Sequence, residues 1–223
     1  MSATRALPAC VVLATSNAGK LRELRDILAP WNVDVRPQSD FTTTAAVEDG
    51  STFVENAILK ARHACEASGL PAIADDSGLC VDALGGAPGV LSARYASEFG
   101  DTPIPVVPGQ REQARVVQDA ANNRLLLQRM EGVDDRRARF VSALAAVRSA
   151  DDPEPLIAFG RWNGVILTIE RGEGGFGYDP LMFIPALNQT VAELSAEQKN
   201  AHSHRALASQ QMLLLMREVW HLG

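Results

Sequence analysis

Apolar residues along this chain fall in short unbroken runs and in helically spaced sets, and the two alternate. Residues 10–14 (CVVLA) form an apolar run suited to a buried strand. Leu21, Leu24, Ile27 and Leu28 then recur at helical spacing, which predicts a helix over 20–28 ended by Pro30. Residues 33–36 (VDVR) alternate as a second strand would. After a polar loop over 37–50, Ser51 stands as an N-cap with Glu55 close to capping-box spacing, and the helix it opens runs to Gly69. Two short strands, 72–74 and 79–84, are predicted on either side of an acidic turn, DDSG, at 75–78.

The second half continues the alternation. Residues 85–90 (GGAPGV) read as a loop, and 102–109 (TPIPVVPG) as a surface excursion of polyproline character. A helix is predicted over about 111–131. The stretches ARFVSALAAVR and PLIAFGRWNGVILTIE read as long strands, with 162–164 turning a hairpin. A glycine-rich loop (GEGGFGYDP), a strand-like LMFI and an amphipathic helix over 203–221 complete the chain. Interleaved strands and helices predict an α/β or mixed α+β fold, arranged as two lobes, with no internal repeat.

Composition narrows the class of function. With 223 residues, 46% of them hydrophobic and 22% charged, the chain is long enough to bury a core of its own. A formal net charge of -6 argues against a general nucleic-acid or anionic-membrane surface, while leaving room for one small basic pocket. Cys10, Cys65 and Cys80 are odd in number and far apart, which predicts buried thiols rather than a disulfide or a zinc site. The first ten residues are too short and polar for a signal peptide, and no apolar run nears the roughly 20 residues a membrane span needs. The expectation is a cytoplasmic protein.

Four segments carry candidate chemistry. In TSNAGK, Thr15, Ser16, Asn17, Ala18, Gly19 and Lys20 lie between a strand and a helix, where hydroxyls, an amide, a permissive glycine, a lysine and a helix N-terminus all suit an anion. The common phosphate-loop spacing is not met, because Ala14 and Leu21 stand where glycine and Ser/Thr are required. The same residues would also make a tight strand–helix turn. In IADDSGLCVDAL, adjacent residues of a strand face opposite ways, so one of Asp75 and Asp76 serves the structure and the other a site. Glu48 and Asp49 are candidate second ligands for a magnesium ion, and an acidic capping turn is the alternative. In GGFGYDP, Phe176 and Tyr178 flank Gly177 and precede Asp179, offering ring faces on which a base could stack or which could plug the core. In SAEQKNAHSHRALA, Lys199, His202, His204 and Arg205 gather at the start of a helix, where cations are unfavourable unless an anion sits among them. That mismatch points to a bound polyphosphate or base carbonyl, whereas the spacing of His202 and His204 does not suit a metal.

Taken in order, LATSNAGKLREL, FVENAILKARHA, PAIADDSGLCVDALGGAPGVLSARYA, GGFGYDPLMFIP and TVAELSAEQKNAHSHRALA closely resemble the inosine triphosphate pyrophosphatase family over nearly the whole chain. Septum-inhibitor-type nucleotide pyrophosphatases share the fold but are not expected to carry these blocks. The resemblance implies an α/β fold: a long central mixed sheet flanked by helices, forming a single domain over 1–223 whose two lobes hold the active site in the cleft between them. It implies a Mg²⁺-dependent cytoplasmic homodimer that cleaves purine nucleoside triphosphates such as ITP, dITP and XTP to the monophosphate and pyrophosphate, with neither nucleic-acid polymer nor membrane as partner.

Carried over residue by residue, the loop Thr15–Lys20, with Ser16, Asn17, Ala18 and Gly19, would grip the triphosphate. Glu48 and Asp76 would bind the metal, and Asp76 would also accept the proton of the attacking water. Ser77 would touch the substrate. Phe176, Gly177, Tyr178 and Asp179 would hold base and sugar, and Lys199, His204 and Arg205 would complete the nucleotide site. The resemblance, not the chemistry, selects Asp76 over Asp75. A donor aimed at the purine 6-oxygen would accept inosine and xanthosine and reject adenine. Two departures stand out: Ser16 replaces a glycine common in relatives, and the segment over 102–109 is longer than the family's connection. Rival readings are a pyrophosphatase for modified pyrimidine or methylated nucleotides, and a nucleotide-binding module whose site has decayed.

Overall fold

The computed structural model describes residues 10–15, 17–29, 34–99 and 111–221. The predicted excursion over 102–109 lies outside them, as does Ser16. The described elements are β1 (Cys10–Ala14), α1 (Ala18–Leu28), β2 (Asp34–Pro37), α2 (Phe53–Ser68), β3 (Ala72–Val81), α3 (Tyr95–Phe99), α4 (Arg111–Arg129), β4 (Arg137–Val147), β5 (Leu156–Ile166), β6 (Met182–Ile184), β7 (Gln189–Thr190), α5 (Ala196–His202) and α6 (His204–Val219). The seven strands form one sheet in the order β2-β1-β3-β4-β5-β6-β7. It is mixed: β1 pairs in parallel with β2 and β3, while β6 pairs antiparallel with β5 and β7.

The chain divides into two compact units, the first comprising Met1–Asp76, Ser142–Gly160 and Ser203–Gly223, the second Ser77–Val141 and Arg161–His202. In the first, the sheet is buried on both faces, as the unbroken apolar runs require. Val11 and Leu13 of β1, Ile73 of β3 and Leu144 of β4 pack with Leu24 of α1 and Met212 and Met216 of α6. The alternate residues, Val12, Ala14, Ala72, Ala74 and Ala145, pack with Ala57, Ala61 and Ala64 of α2. In the second unit, Leu79, Val81, Phe140, Trp162 and Ile166 surround Leu126 and Met130 of α4 together with Tyr178 and Leu181.

Three predictions are corrected. The capping box of α2 is centred on Thr52, not Ser51: Thr52 Oγ1 accepts from Glu55 N at 3.2 Å, and the Glu55 carboxylate accepts from Thr52 N at 2.9 Å. Ser51 adds a hydroxyl hydrogen bond to the same carboxylate at 2.8 Å. Secondly, 75–78 is not a turn. β3 runs through it without a break, because both carboxylates meet cations on their own sides of the sheet. Thirdly, β5 passes straight through 162–164. Gly164 is needed there for close approach rather than for turning, since a Cβ would sit 2.4 Å from the Phe183 carbonyl oxygen.

The same logic applies at Gly160 of β5, against which α6 lies. A Cβ there would stand 2.7 Å from Ala208 N and closer still to the His204 carbonyl oxygen, both backbone atoms of α6. Gly160→Ala is expected to lower stability by about 2 kcal/mol or more, read from the urea unfolding midpoint. An unchanged midpoint would show that α6 can shift without cost.

Candidate active site

β3 places Asp75 and Asp76 at mid-strand, and its two-residue period sends them to opposite faces of the sheet. Asp75 shares the face of Ile73, covered by α1 and α6. Lys20 Nζ reaches Asp75 Oδ2 at 2.9 Å from the first turn of α1, and Arg205 Nε reaches the same oxygen at 3.3 Å from the first turn of α6. Ser142 of β4 donates its hydroxyl to the other oxygen at 2.6 Å. Glu23, three residues after Lys20 on α1, holds the second arm of Arg205 at 2.6 Å. Burial opposes ionisation of Asp75, but Lys20, Arg205 and the Ser142 hydroxyl outweigh it and hold the carboxyl well below the usual carboxylate range. Burial pulls the Lys20 ammonium below its ordinary value, against the pull of Asp75.

Asp76 shares the other face with Ala74, covered by α2. Lys60 Nζ lies 2.6 Å from Asp76 Oδ1 and 3.2 Å from Glu48 Oε2, so two carboxylates from separate segments converge on one positive centre. Asn56, one turn earlier on α2, donates its amide to Asp76 Oδ2 at 3.5 Å. Its Oδ1 accepts from Gly50 N at 2.9 Å, which ties down the loop bearing Glu48. Burial pushes the Asp76 carboxyl up despite Lys60; burial would lower Lys60, but Asp76 and Glu48 raise it. Among the described residues no group of three or more His, Cys, Asp and Glu is placed to hold a metal. Two carboxylates suit an ion such as Mg²⁺, which keeps waters and takes substrate oxygens as its remaining ligands.

Asn17 is the N-cap of α1. Its Oδ1 accepts from Gly19 N at 3.0 Å and Lys20 N at 3.2 Å, while Thr15 Oγ1 accepts from Asn17 N at 3.2 Å. Two helix N–H groups that the sequence reading offers to an anion are therefore taken by the cap itself. The Asn17 amide nitrogen makes no hydrogen bond among the described residues, and the Lys20 ammonium is paired with Asp75. Ala18 opens the helix.

The second unit carries the remaining candidates. Ser77 is half-buried in β3. Phe176 is half-buried, with Lys199 Nζ 4.5 Å from the ring centroid. Asp179 Oδ2 accepts from Phe176 N at 2.9 Å and from Lys199 Nζ at 2.8 Å, closing the loop around Gly177, whose φ is 62°. Tyr178 differs from the expectation for its side chain. The ring sits in the core and its hydroxyl donates to the Ser92 carbonyl at 3.0 Å, so it packs the loop rather than facing a ligand.

The cations near the last helix also need correction. They require no bound anion for compensation, since Lys199 pairs with Asp179, and Arg205 with Asp75 and Glu23. His204 is buried beside Arg205 at the start of α6. Lys60, Asn56 and Glu23 escape the sequence reading. The helical spacing of Asn56 and Lys60 on α2, and of Lys20 and Glu23 on α1, is the signal that could have found them. All three cysteines are free; Cys65 and Cys80 are buried as expected, their thiols pushed up chiefly by desolvation, whereas Cys10 is only half-buried. Among the described residues no helix is long and apolar enough to cross a membrane.

Asp75→Asn would leave Lys20 and Arg205 buried against a neutral amide, which is expected to cost about 3–5 kcal/mol of stability at pH 7. Because the folded pKa of Asp75 lies below the unfolded value of about 3.9, its contribution is complete above that value and is lost as the pH falls through the folded pKa. Urea titrations of wild type and variant should therefore differ most near neutrality and converge in acid. A constant gap across the range would assign the loss to packing.

The sequence profile of the Ham1 family matches residues 11–214. The chain is 60% identical over 213 residues to the dITP/XTP pyrophosphatase of Leptothrix cholodnii, covering 96% of this chain and 99% of that one. It is 58% identical over 210 residues to the dITP/XTP pyrophosphatase of Methylibium petroleiphilum, with 94% and 98% covered. Among solved structures, a HAM1 protein from Coxiella burnetii superposes with a TM-score of 0.79 at 42% identity, covering 94% of this chain and 99% of that one. The Staphylococcus aureus Ham1 protein gives 0.76 at 36%, with 94% and 98% covered. Identity at this level along almost the whole length, joined to the same fold, means that the chain belongs to the Ham1 family.

Proposed function

We propose that this protein hydrolyses dITP, ITP and XTP to the nucleoside monophosphate and pyrophosphate, removing deaminated purines from the nucleotide pool. The observation that carries the reading is the convergence of Glu48 and Asp76 on the Lys60 ammonium, in a chain whose next carboxylate, Asp75, holds Lys20 and Arg205. Relatives that are 60% and 58% identical bear the dITP/XTP pyrophosphatase name. In this reading the cofactor is Mg²⁺, held by Glu48 and Asp76 where Lys60 now holds both. The ion would supply charge neutralisation of the triphosphate and a water of lowered pKa.

The chain's own residues do the rest. Lys20 pairs with phosphate oxygens and meets charge as it grows on the departing pyrophosphate. Asn17 orients a phosphate oxygen with its amide nitrogen. Asp76 accepts a proton from the water that attacks the α-phosphorus in line. The new bond joins that water's oxygen to the α-phosphorus, and the bond that breaks is the one from the α-phosphorus to the bridging oxygen, which leaves with pyrophosphate. Before the ion enters, Lys60 opposes the burial that pushes the Asp76 carboxyl up, and the ion's own charge would then favour the carboxylate. Phe176, Gly177 and Asp179 hold the sugar and base, Ser77 and Lys199 touch the substrate, and His204 and Arg205 complete the nucleotide site, with Arg205 or a backbone N–H as the donor towards the purine 6-oxygen. Adenine would turn an amino group towards that donor and be rejected. The same reading gives a cytoplasmic homodimer, as befits an enzyme of the soluble nucleotide pool.

The test is product analysis at alkaline pH with Mg²⁺, comparing dITP, XTP, dGTP, dATP and dTTP. Pyrophosphate release from dITP and XTP alone is expected. Asp76→Asn should lower kcat by about 10²–10⁴-fold, and Lys20→Met should lower kcat/KM by about 10²–10³-fold. Orthophosphate as the product would move the attack to the γ-phosphorus and overturn the mechanism. Preferential turnover of a modified pyrimidine would overturn the substrate assignment.

A further inference from the structure

The loop bearing Phe176 is fastened from one helix. Gly177 donates its N–H to Asp119 Oδ2 at 2.9 Å, and its carbonyl oxygen accepts from Asn123 Nδ2 at 3.1 Å. Both backbone polar groups of one residue are thus held by side chains one turn apart on α4. One turn earlier again, the Arg115 guanidinium lies 5.2 Å from the centroid of the Phe176 ring and 3.9 Å from Asp119. Residues 115, 119 and 123 are spaced i, i+4, i+8, so they form one stripe of the helix along the loop. Gly177 has a φ of 62°, a region where the chain settles easily only with glycine, and where the peptide needs outside anchors to hold one orientation.

Two further features set this stripe apart from ordinary helix–loop packing. Asn123 is buried, and its carbonyl oxygen has no hydrogen-bond partner among the described residues. A buried orphan acceptor is a net cost, so this side chain is kept for what its amide NH₂ does. That group makes two bonds, to the Gly177 carbonyl and to Glu170 Oε1 at 2.9 Å. Phe176 itself is not in the core cluster that takes Tyr178 two residues later. Its ring is held at the ring face by Arg115 and Lys199, and at the backbone by Asp179 and the Gly177 peptide.

We propose that Asp119 and Asn123 of α4 are positioning residues that set the orientation of the Gly177 peptide, and through it the Phe176 ring, for the purine base of the substrate. The proposal rests on the reading of this loop as base-binding. Neither side chain touches the phosphates, and neither takes part in the chemical step. Their removal should therefore weaken binding of the base and leave turnover of bound substrate and pyrophosphate affinity as they were. Gly177 N–H needs only an acceptor, so an asparagine at 119 can still serve it, whereas an alanine cannot.

The experiment compares wild type with Asp119→Ala, Asp119→Asn and Asn123→Ala. It measures steady-state release of pyrophosphate from dITP, calorimetric affinity for dIMP, inhibition by pyrophosphate, and the melting temperature. Expected are a rise of about tenfold in KM for dITP and in the dIMP dissociation constant for the alanine variants, with kcat and pyrophosphate inhibition unchanged and most of the loss recovered in Asp119→Asn. Wild-type KM and dIMP affinity in both alanine variants would overturn the proposal. So would a loss in which dIMP affinity, pyrophosphate inhibition and melting temperature fall together, since that marks a merely structural role. A wild type that binds dIMP but releases no pyrophosphate from dITP would refute the proposed reaction, while the dIMP affinities of the variants would still decide the positioning role. A wild type that does neither overturns both.

Discussion

Two charged residues side by side in the middle of a buried strand are the constraint from which the rest of this structure follows. A carboxylate without a partner in such a place would be strongly unfavourable. β3 carries two of them, and the alternation of a strand puts them on opposite faces. Each face must then supply its own cations. On one side α1 and α6 bring Lys20 and Arg205 to Asp75, and on the other α2 brings Lys60 to Asp76. The helices that bury the apolar residues of the first unit are the same ones that carry the compensating charges, so the packing and the site are set by one arrangement.

The two carboxylates are not treated alike. Asp75 is surrounded: two cations and a hydroxyl occupy its oxygens and keep it ionised throughout the physiological range. Asp76 has one lysine, which it shares with Glu48, and burial raises its pKa. A fully satisfied carboxylate is a structural anchor. In the proposed function, the one that shares a single ammonium with a second carboxylate is where a divalent cation would enter and Lys60 would step aside. On that reading, the division of labour between neighbours would let a chemically demanding site sit in a rigid strand.

Much of this was legible in the residues. The apolar run at 10–14, the helical spacing of Leu21 and Leu24, and the long helices over 111–131 and 203–221 match β1, α1, α4 and α6 closely, because each is a strongly periodic segment with clear ends. The adjacency of Asp75 and Asp76 correctly implied that they face opposite sides of the sheet. What misled the reading was local. DDSG looked like a turn because its composition is that of turns, and only the cations of α1, α2 and α6 make it a strand interior. Trp162–Gly164 looked like a hairpin for the same reason, whereas the glycine there makes room for the Phe183 carbonyl. For Lys60 and Glu23 the helical spacing marks only a shared helix face; their partners lie 16 and 182 residues away in sequence, and that spacing does not say which carboxylate or cation the face meets.

The most direct test of the division between the two carboxylates is metal binding itself, followed with Mn²⁺ in place of Mg²⁺ by electron paramagnetic resonance of the free ion. Folded wild type, Asp75→Asn and Asp76→Asn would be titrated at neutral pH. Mn²⁺ retained by wild type and Asp75→Asn but not by Asp76→Asn is the predicted result. Retention by Asp76→Asn, or loss in Asp75→Asn alone, would contradict the assignment of Asp76 to the metal and of Asp75 to the frame that holds Lys20 and Arg205.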